Sequence, residues 1–210
     1  MILYGYSLSS ASYRVRIALA LKGLDVATVS KQLRLGEHRQ DDFLRLNPQG
    51  FVPTLVLDDG HVLTQSLAII EYLDERYPQP PLLPEQPEAR ARVRSLSQLI
   101  ACDVHPLNNL RVLKYLEESL GLDKSARDAW YRHWIDAGFE ALEKSLAGDI
   151  SAGRFCCGDS PGMADVCLVP QVFNARRFSV DLRPYPRITA IDAACREIAA
   201  FAGAAPERQS

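Results

Sequence analysis

Ser9, Ser10 and Ser12 stand where a short apolar run, Met1-Ile2-Leu3-Tyr4, gives way to a helix-length apolar segment, Val15 to Leu21, stopped by Lys22-Gly23. A serine at such a strand-to-helix junction has two uses. Its hydroxyl can cap the helix by accepting from an unpaired backbone N–H of the first turn. The same place carries the partial positive charge of the helix dipole, so the hydroxyl can also hold a thiolate and lower a thiol pKa until it attacks near neutral pH. No cysteine lies in this stretch, so that thiol would have to be borrowed. The residues alone leave the cap and the thiolate site on equal footing.

Other spacings offer further chemistry. Gln65-Ser66 sets an amide and a hydroxyl beside a second helix start, a place suited to a carboxylate or to a simple cap. Val52-Pro53 opens a strand where proline is tolerated; a cis bond there would turn the Val52 N–H and C=O toward a bound peptide, although most X-Pro bonds are trans. Arg176-Arg177 ends an apolar helix, either to complement its dipole or to grip a substrate carboxylate through a bidentate fork. Asn108, Asn109 and Arg111 follow His105-Pro106 and could line a cleft, with solvated surface as the plainer reading. Gly158-Asp159-Ser160-Pro161-Gly162 matches the nucleophile elbow of serine hydrolases, and Phe155-Cys156-Cys157 before it could be a short strand. The elbow needs a later histidine and none follows His133, so the hydrolase reading fails; Gly162 and Asp165 read instead as a helix cap and the residue reaching back to it. The histidines show no metal-ligand spacing, and no metal is assigned.

These residues need elements to hold them. After the first helix, 26–30 alternates as a strand, 36–40 is a polar loop, 41–46 is a short helix, and 54–57 with 62–64 form a hairpin around Asp59-Gly60. Ser66 then caps a helix over 67–77. Five of the 13 prolines fall between Pro78 and Pro87 and mark a boundary. Everything beyond reads as helical: an amphipathic helix over 88–101 kinked at Cys102 to Pro106, one opened by a Ser125-to-Asp128 capping box, the apolar 163–174, and a last helix begun by Pro186. Trp130, Trp134, Ala137, Ala141 and Leu142 are expected to share one buried face. The expected organisation is an α/β domain over 1–80, a proline-rich linker over 81–87 and an all-helical domain over 88–210. With 47% apolar and 24% charged residues in a chain of 210, the composition is that of a soluble globular protein. A net charge of -2 gives no case for nucleic acid or an anionic membrane, and no apolar run approaches a bilayer span. Five cysteines without C-x-x-C spacing read as reduced thiols of a cytoplasmic protein.

Across essentially the whole chain, the sequence resembles the zeta-class glutathione transferases, the maleylacetoacetate isomerase family. The resemblance rests on Ser-Ser-x-Ser-x-Arg-Val-Arg-Ile-Ala-Leu over 9–19, Asn47-Pro48-Gln49 before Val52-Pro53, Gln65 to Leu73, Gly158-Asp159, Met163 to Gln171 and Val180 to Pro186. It implies a thioredoxin-like, glutathione-binding first domain, a helical substrate-binding second domain and a homodimer. It implies Ser9 against the glutathione thiol with Ser10 beside it, Val52 pairing with the glutathione backbone before a cis Pro53, and Gln65 with Ser66 on the γ-glutamyl carboxylate. His38 and Gln49 would lie near the glycyl end, and Asp103 is counted with the glutathione contacts. His105, Asn108, Arg111 and Arg176 are the candidates for binding a small dicarboxylate substrate, with Arg176 also the first candidate for electrophilic help.

The implied activity is glutathione-dependent isomerisation of maleylacetoacetate to fumarylacetoacetate in tyrosine and phenylalanine catabolism. Residues 102–109 also resemble bacterial maleylpyruvate isomerases, which makes that reaction the nearest alternative; dehalogenation of α-halo acids and a non-catalytic interaction module stand further off. Two positions depart from the family pattern: Leu8 stands where arginine is usual, and Ala11 where cysteine is frequent. Leu8 removes a cation from the mouth of the site.

Overall fold

Tyr13, Val15, Ile17, Ala18 and Leu19 are all buried, and they explain why α1 (Ser10–Leu21) packs as it does, against the helices at Ser66–Arg76 and Ala199–Gly203. In the computed structural model, residues 1–149 and 151–209 are described. Among them, β1 (Ile2–Gly5), β2 (Ala27–Ser30), β3 (Thr54–Val56) and β4 (Val62–Thr64) form one sheet in the order β2-β1-β3-β4. β1 runs parallel to β2 and antiparallel to β3, and β3 is antiparallel to β4. The β3–β4 turn uses Gly60 at φ +88°, a conformation that glycine adopts without a Cβ penalty. The expected loop at 36–40 contains a 3-10 turn, Glu37–Arg39, followed directly by α2 (Asp41–Leu46). α3 (Ser66–Arg76) is tied to the end of α1 by a buried ion pair, Lys22 Nζ to Asp74 Oδ1 at 2.7 Å.

The chain divides into two units, Met1–Pro81 with Glu197–Ser210, and Leu82–Arg196. The C-terminal segment therefore belongs with the sheet: Arg16 donates to Ala204 O, and Tyr13 Oη to Phe201 O in α9 (Ala199–Gly203).

The second unit is helical throughout its regular structure. α4 (Pro87–Gln98) passes into a π-helical turn, Leu99–Val104, and then a 3-10 turn, His105–Asn108, so the kink expected before Pro106 is spread over two irregular turns. α5 (Leu110–Glu118) and α6 (Lys124–Ala147) follow. The cap of α6 is Asp123, which accepts from Ala126 N at 2.8 Å, and not Ser125, which lies inside the helix. The buried face of α6 also differs from expectation. It is Tyr131, Ile135, Phe139, Leu142 and Leu146, whereas Ala137 and Ala141 are exposed. Trp130 and Trp134 pack on each other 5.6 Å apart, and Trp130 Nε1 donates to Leu107 O, which turns the indoles to the flank of the helix. Gly138 sits where α6 meets the π turn: a Cβ there would collide with Val104 Cγ2.

α7 (Met163–Arg177) is the centre of this unit, with Val166, Leu168, Val169 and Val172 essentially inaccessible. Each such side chain stabilises by about 1.5–3 kcal/mol relative to exposure. Asp165 reaches back as expected, accepting from Gly162 N at 2.8 Å, and it also accepts from Cys156 N at 2.9 Å. No strand forms at 155–157. α8 (Pro186–Arg196) begins at its proline as expected.

Candidate functional site

Ser9 is the N-cap of α1, its Oγ accepting from Ser12 N at 3.2 Å. A hydroxyl has one proton and two lone pairs, so capping occupies one lone pair and leaves the O–H to donate elsewhere. Ser9 is half-buried, beside the positive end of a helix of 12 residues. Ser10 is 4% exposed as the first helical residue, so the two serines differ in access.

The loop before β3 is organised by buried Asn47. Its Nδ2 donates to Phe51 O and Thr54 Oγ1, and its Oδ1 accepts from Gln49 N. This loop carries the Val52-Pro53 peptide, which is cis. Gly50, at φ +61°, lets the loop approach the backbone of His38; a Cβ there would lie 2.8 Å from His38 O. Arg39 Nη1 donates to Gln49 O from the same turn. His38 is half-buried and Gln49 exposed.

Gln65 is not a simple cap residue. It adopts φ +68° without being glycine, and its Nε2 donates to Gln49 Oε1 at 3.0 Å. Ser66 is the first residue of α3 and not its cap; its Oγ accepts from Arg14 Nη1 at 3.2 Å. Arg14 is 1% exposed, so a buried cation underlies the N-terminus of α3. The helix end, Ser66 and Arg14 together make that end of α3 a place for a carboxylate. The structure thus brings Gln49, Gln65 and His38 to one loop cluster and joins Ser66 to α1.

In the second unit, Asp103, His105, Asn108 and Arg111 lie along the consecutive turns that lead into α5. Asp103 and Arg111 are exposed, and His105 is half-buried. Asn108 is 6% exposed and donates from Nδ2 to Tyr131 O, which gives it a packing role between the 3-10 turn and α6. Arg176 stands apart from these residues in sequence and is anchored: its Nη2 lies 2.6 Å from Asp192 Oδ2, a carboxylate that is almost wholly buried. The Arg176 side chain is 41% exposed, and a guanidinium has five donors, so anchoring orients it without exhausting it.

Three of the chain's thiols are poor nucleophiles. Burial, followed by the Asp165 carboxylate, pushes the Cys156, Cys157 and Cys195 thiols above their usual range. Among the described residues, no group of three His, Cys, Asp or Glu is placed to hold a metal, and no helix is long and apolar enough to cross a membrane.

Comparison with known proteins decides the family. The profile of the glutathione S-transferase N-terminal domain matches residues 8–76, and that of the glutathione S-transferase C-terminal domain matches residues 126–200. The chain is 51% identical to a maleylpyruvate isomerase of a Ralstonia species, over 100% of this chain and 98% of that protein. It superposes with a TM-score of 0.97 and 51% identity on a holo maleylpyruvate isomerase described as a bacterial zeta-class glutathione S-transferase, covering 100% of this chain and 98% of the other. With a maleylacetoacetate isomerase from Methylobacterium extorquens AM1, solved with malonate and glutathione bound, the TM-score is 0.98 at 43% identity, covering 100% and 98%. The chain belongs to the zeta-class glutathione transferase family.

In this transferase, sequence reasoning overlooked Arg14. A charged residue inside an otherwise apolar helix was the available signal: Arg14 falls between Tyr13 and Val15, both buried. Asn47 was visible only as part of Asn47-Pro48-Gln49, and its three side-chain bonds across the loop emerge from the fold alone.

Proposed function

We propose that this transferase is a glutathione-dependent cis–trans isomerase that converts maleylacetoacetate to fumarylacetoacetate in tyrosine and phenylalanine catabolism. The observation that carries this reading is full-length likeness to isomerases of that chemistry, together with a Ser9 hydroxyl whose proton remains available at a helix N-terminus. The residues present fit glutathione. No cysteine lies beside Ser9, so a thiol held there is borrowed, and the Arg14-backed start of α3 suits a γ-glutamyl carboxylate.

When bound, glutathione supplies a thiolate that adds reversibly to the conjugated cis double bond and departs after rotation about the resulting single bond. Ser9 donates to the sulfur and, with the α1 dipole, favours its ionised form. Ser10 supports Ser9 from inside the helix start. Gln65 and Ser66 hold the γ-glutamyl carboxylate, Val52 pairs its backbone with the peptide ahead of Pro53, and His38 and Gln49 flank the glycyl end. Asp103 is assigned to glutathione as well. Arg176, aimed by Asp192, grips a substrate carboxylate and stabilises the developing enolate, with His105 and Arg111 completing the charge recognition that Leu8 no longer supplies. Asn108 shapes that surface through its bond to α6.

In this reading the sheet-bearing unit binds glutathione and the helical unit, Leu82–Arg196, binds substrate, in a cytoplasmic homodimer. Maleylpyruvate is the second substrate to consider, because a maleylpyruvate isomerase is 51% identical over the full chain. The test is turnover of the two substrates side by side, with and without glutathione. Glutathione-dependent loss of maleylacetoacetate at the higher kcat/KM supports the reading; preference for maleylpyruvate replaces the substrate, and turnover of neither overturns the isomerase.

A further inference from the structure

The sheet-bearing unit contains a cavity of about 210 Å³ that shares no residue with the glutathione contacts proposed above. Its origin lies in the register of the edge strand. Leu3 pairs with Thr28 and Gly5 with Ser30, so Thr28 and Ser30 share a face of the sheet with residues of β1. Small hydroxyl side chains on that face leave room at the sheet edge. Arg16 enters the cavity from α1, and Arg208 with Gln209 from the C-terminal 3-10 turn, Pro206–Arg208.

Arg16 is bound only to neutral groups. Its Nε donates to Ala204 O at 3.0 Å, Nη1 to Tyr6 O at 3.4 Å and Nη2 to Ser7 O at 3.1 Å, and its guanidinium lies 5.3 Å from the Tyr13 ring centre. Burial lowers its pKa to about 10, which still leaves it fully charged at neutral pH. Among the described residues, no carboxylate pairs with Arg16 or Arg208. A largely buried cation ringed by carbonyl dipoles, with no counter-ion and a second arginine on the same cavity, is a standing attraction for an anion. The three carbonyl bonds use three of the five Arg16 donors and fix the plane of the guanidinium, which is what bidentate recognition of an oxyanion requires.

We propose that this cavity binds a small oxyanion, the carboxylate or phosphate group of a metabolite, between Arg16 and Arg208, with Ser7, Thr28 and Ser30 supplying further polar contacts. The site is separate from glutathione and substrate, and its occupancy stabilises the packing of the C-terminal segment on α1 and the edge strand.

The experiment is calorimetric titration of inorganic phosphate, and separately of succinate, into glutathione-saturated protein. Wild type, Arg208→Gln and Ser66→Ala are compared. Arg208 is exposed and makes no side-chain hydrogen bond among the described residues, so its replacement spares the fold. The expected result is binding to wild type and Ser66→Ala alike, and about tenfold weaker binding to Arg208→Gln, the loss of one charge-assisted contact. The tighter of the two probes identifies phosphate or carboxylate as the natural group. Equal binding by Arg208→Gln, loss confined to Ser66→Ala, or no binding to wild type would each overturn the proposal.

Discussion

At the scale of single residues, the chemistry depends on side chains that do two things at once. Ser9 caps α1 with a lone pair and in the proposed mechanism gives its proton to a sulfur, while Arg176 satisfies a buried Asp192 and in the same proposal gives its remaining donors to a substrate. The second pairing makes a prediction that separates structure from function. Arg176→Ala leaves Asp192 buried and uncompensated, so urea denaturation is expected to show a loss of about 2 kcal/mol, below the range for a fully buried pair because Arg176 is partly exposed. Asp192→Asn is expected to lose less, since it removes the charge along with the pairing. Asp149 gives the pH counterpart. Bonds from the Ser151 hydroxyl, then Arg92, then the Ser151 N–H hold its carboxyl at about 2, against an ordinary 3.8. A depressed pKa contributes stability above the ordinary value that is lost as pH falls through the folded one. Urea midpoints for wild type and Asp149→Asn should therefore differ at about pH 6 and converge toward about pH 2; a constant gap over that range would contradict the assignment. Ser9 and the Gly162–Asp165 cap were legible in the sequence because local spacing alone defines a helix start, whereas the start of α3 lies one residue earlier than expected, with Gln65 and not Ser66 at the cap position. Arg14 was not, because its partner Ser66 lies 52 positions away.

At the scale of elements, the helix ends position most of the chemistry. The start of α7 is fixed by Asp165, whose carboxylate takes the N–H groups of Gly162 and Cys156 while almost wholly buried. Asp165→Ala strands both donors and is expected to destabilise the second unit by about 2–4 kcal/mol in chemical denaturation; a loss near zero would show that water or backbone shifts replace the cap. Strands and short helices of the first unit were readable because alternation and turn chemistry are local. Of the face expected for α6 only Leu142 is buried, because the indoles of Trp130 and Trp134 look like core yet pack on each other along the flank. The π turn at Leu99–Val104 was legible only as a kink: a proline signals that the helix is disturbed, and not how the preceding turns redistribute their hydrogen bonds.

At the scale of the whole molecule, the proline cluster gave the domain boundary a visible mark, whereas the grouping of Glu197–Ser210 with the sheet could not be read locally, since it depends on long-range bonds such as Arg16 to Ala204. The proposed homodimer predicts a light-scattering mass of twice the 23.4 kDa chain, about 47 kDa; a stable monomer with full activity would remove the dimer from the account. In the proposed mechanism the Ser9 hydroxyl holds a borrowed thiolate which isomerises a cis double bond. That mechanism is tested most directly by maleylacetoacetate turnover at saturating glutathione in wild type and Ser9→Ala, with glutathione affinity measured alongside. The expected result is a fall in kcat of about 100-fold with glutathione still bound, comparable to removing one preorganised hydrogen-bond donor. Unchanged kcat in Ser9→Ala, or wild-type turnover that does not require glutathione, would contradict it.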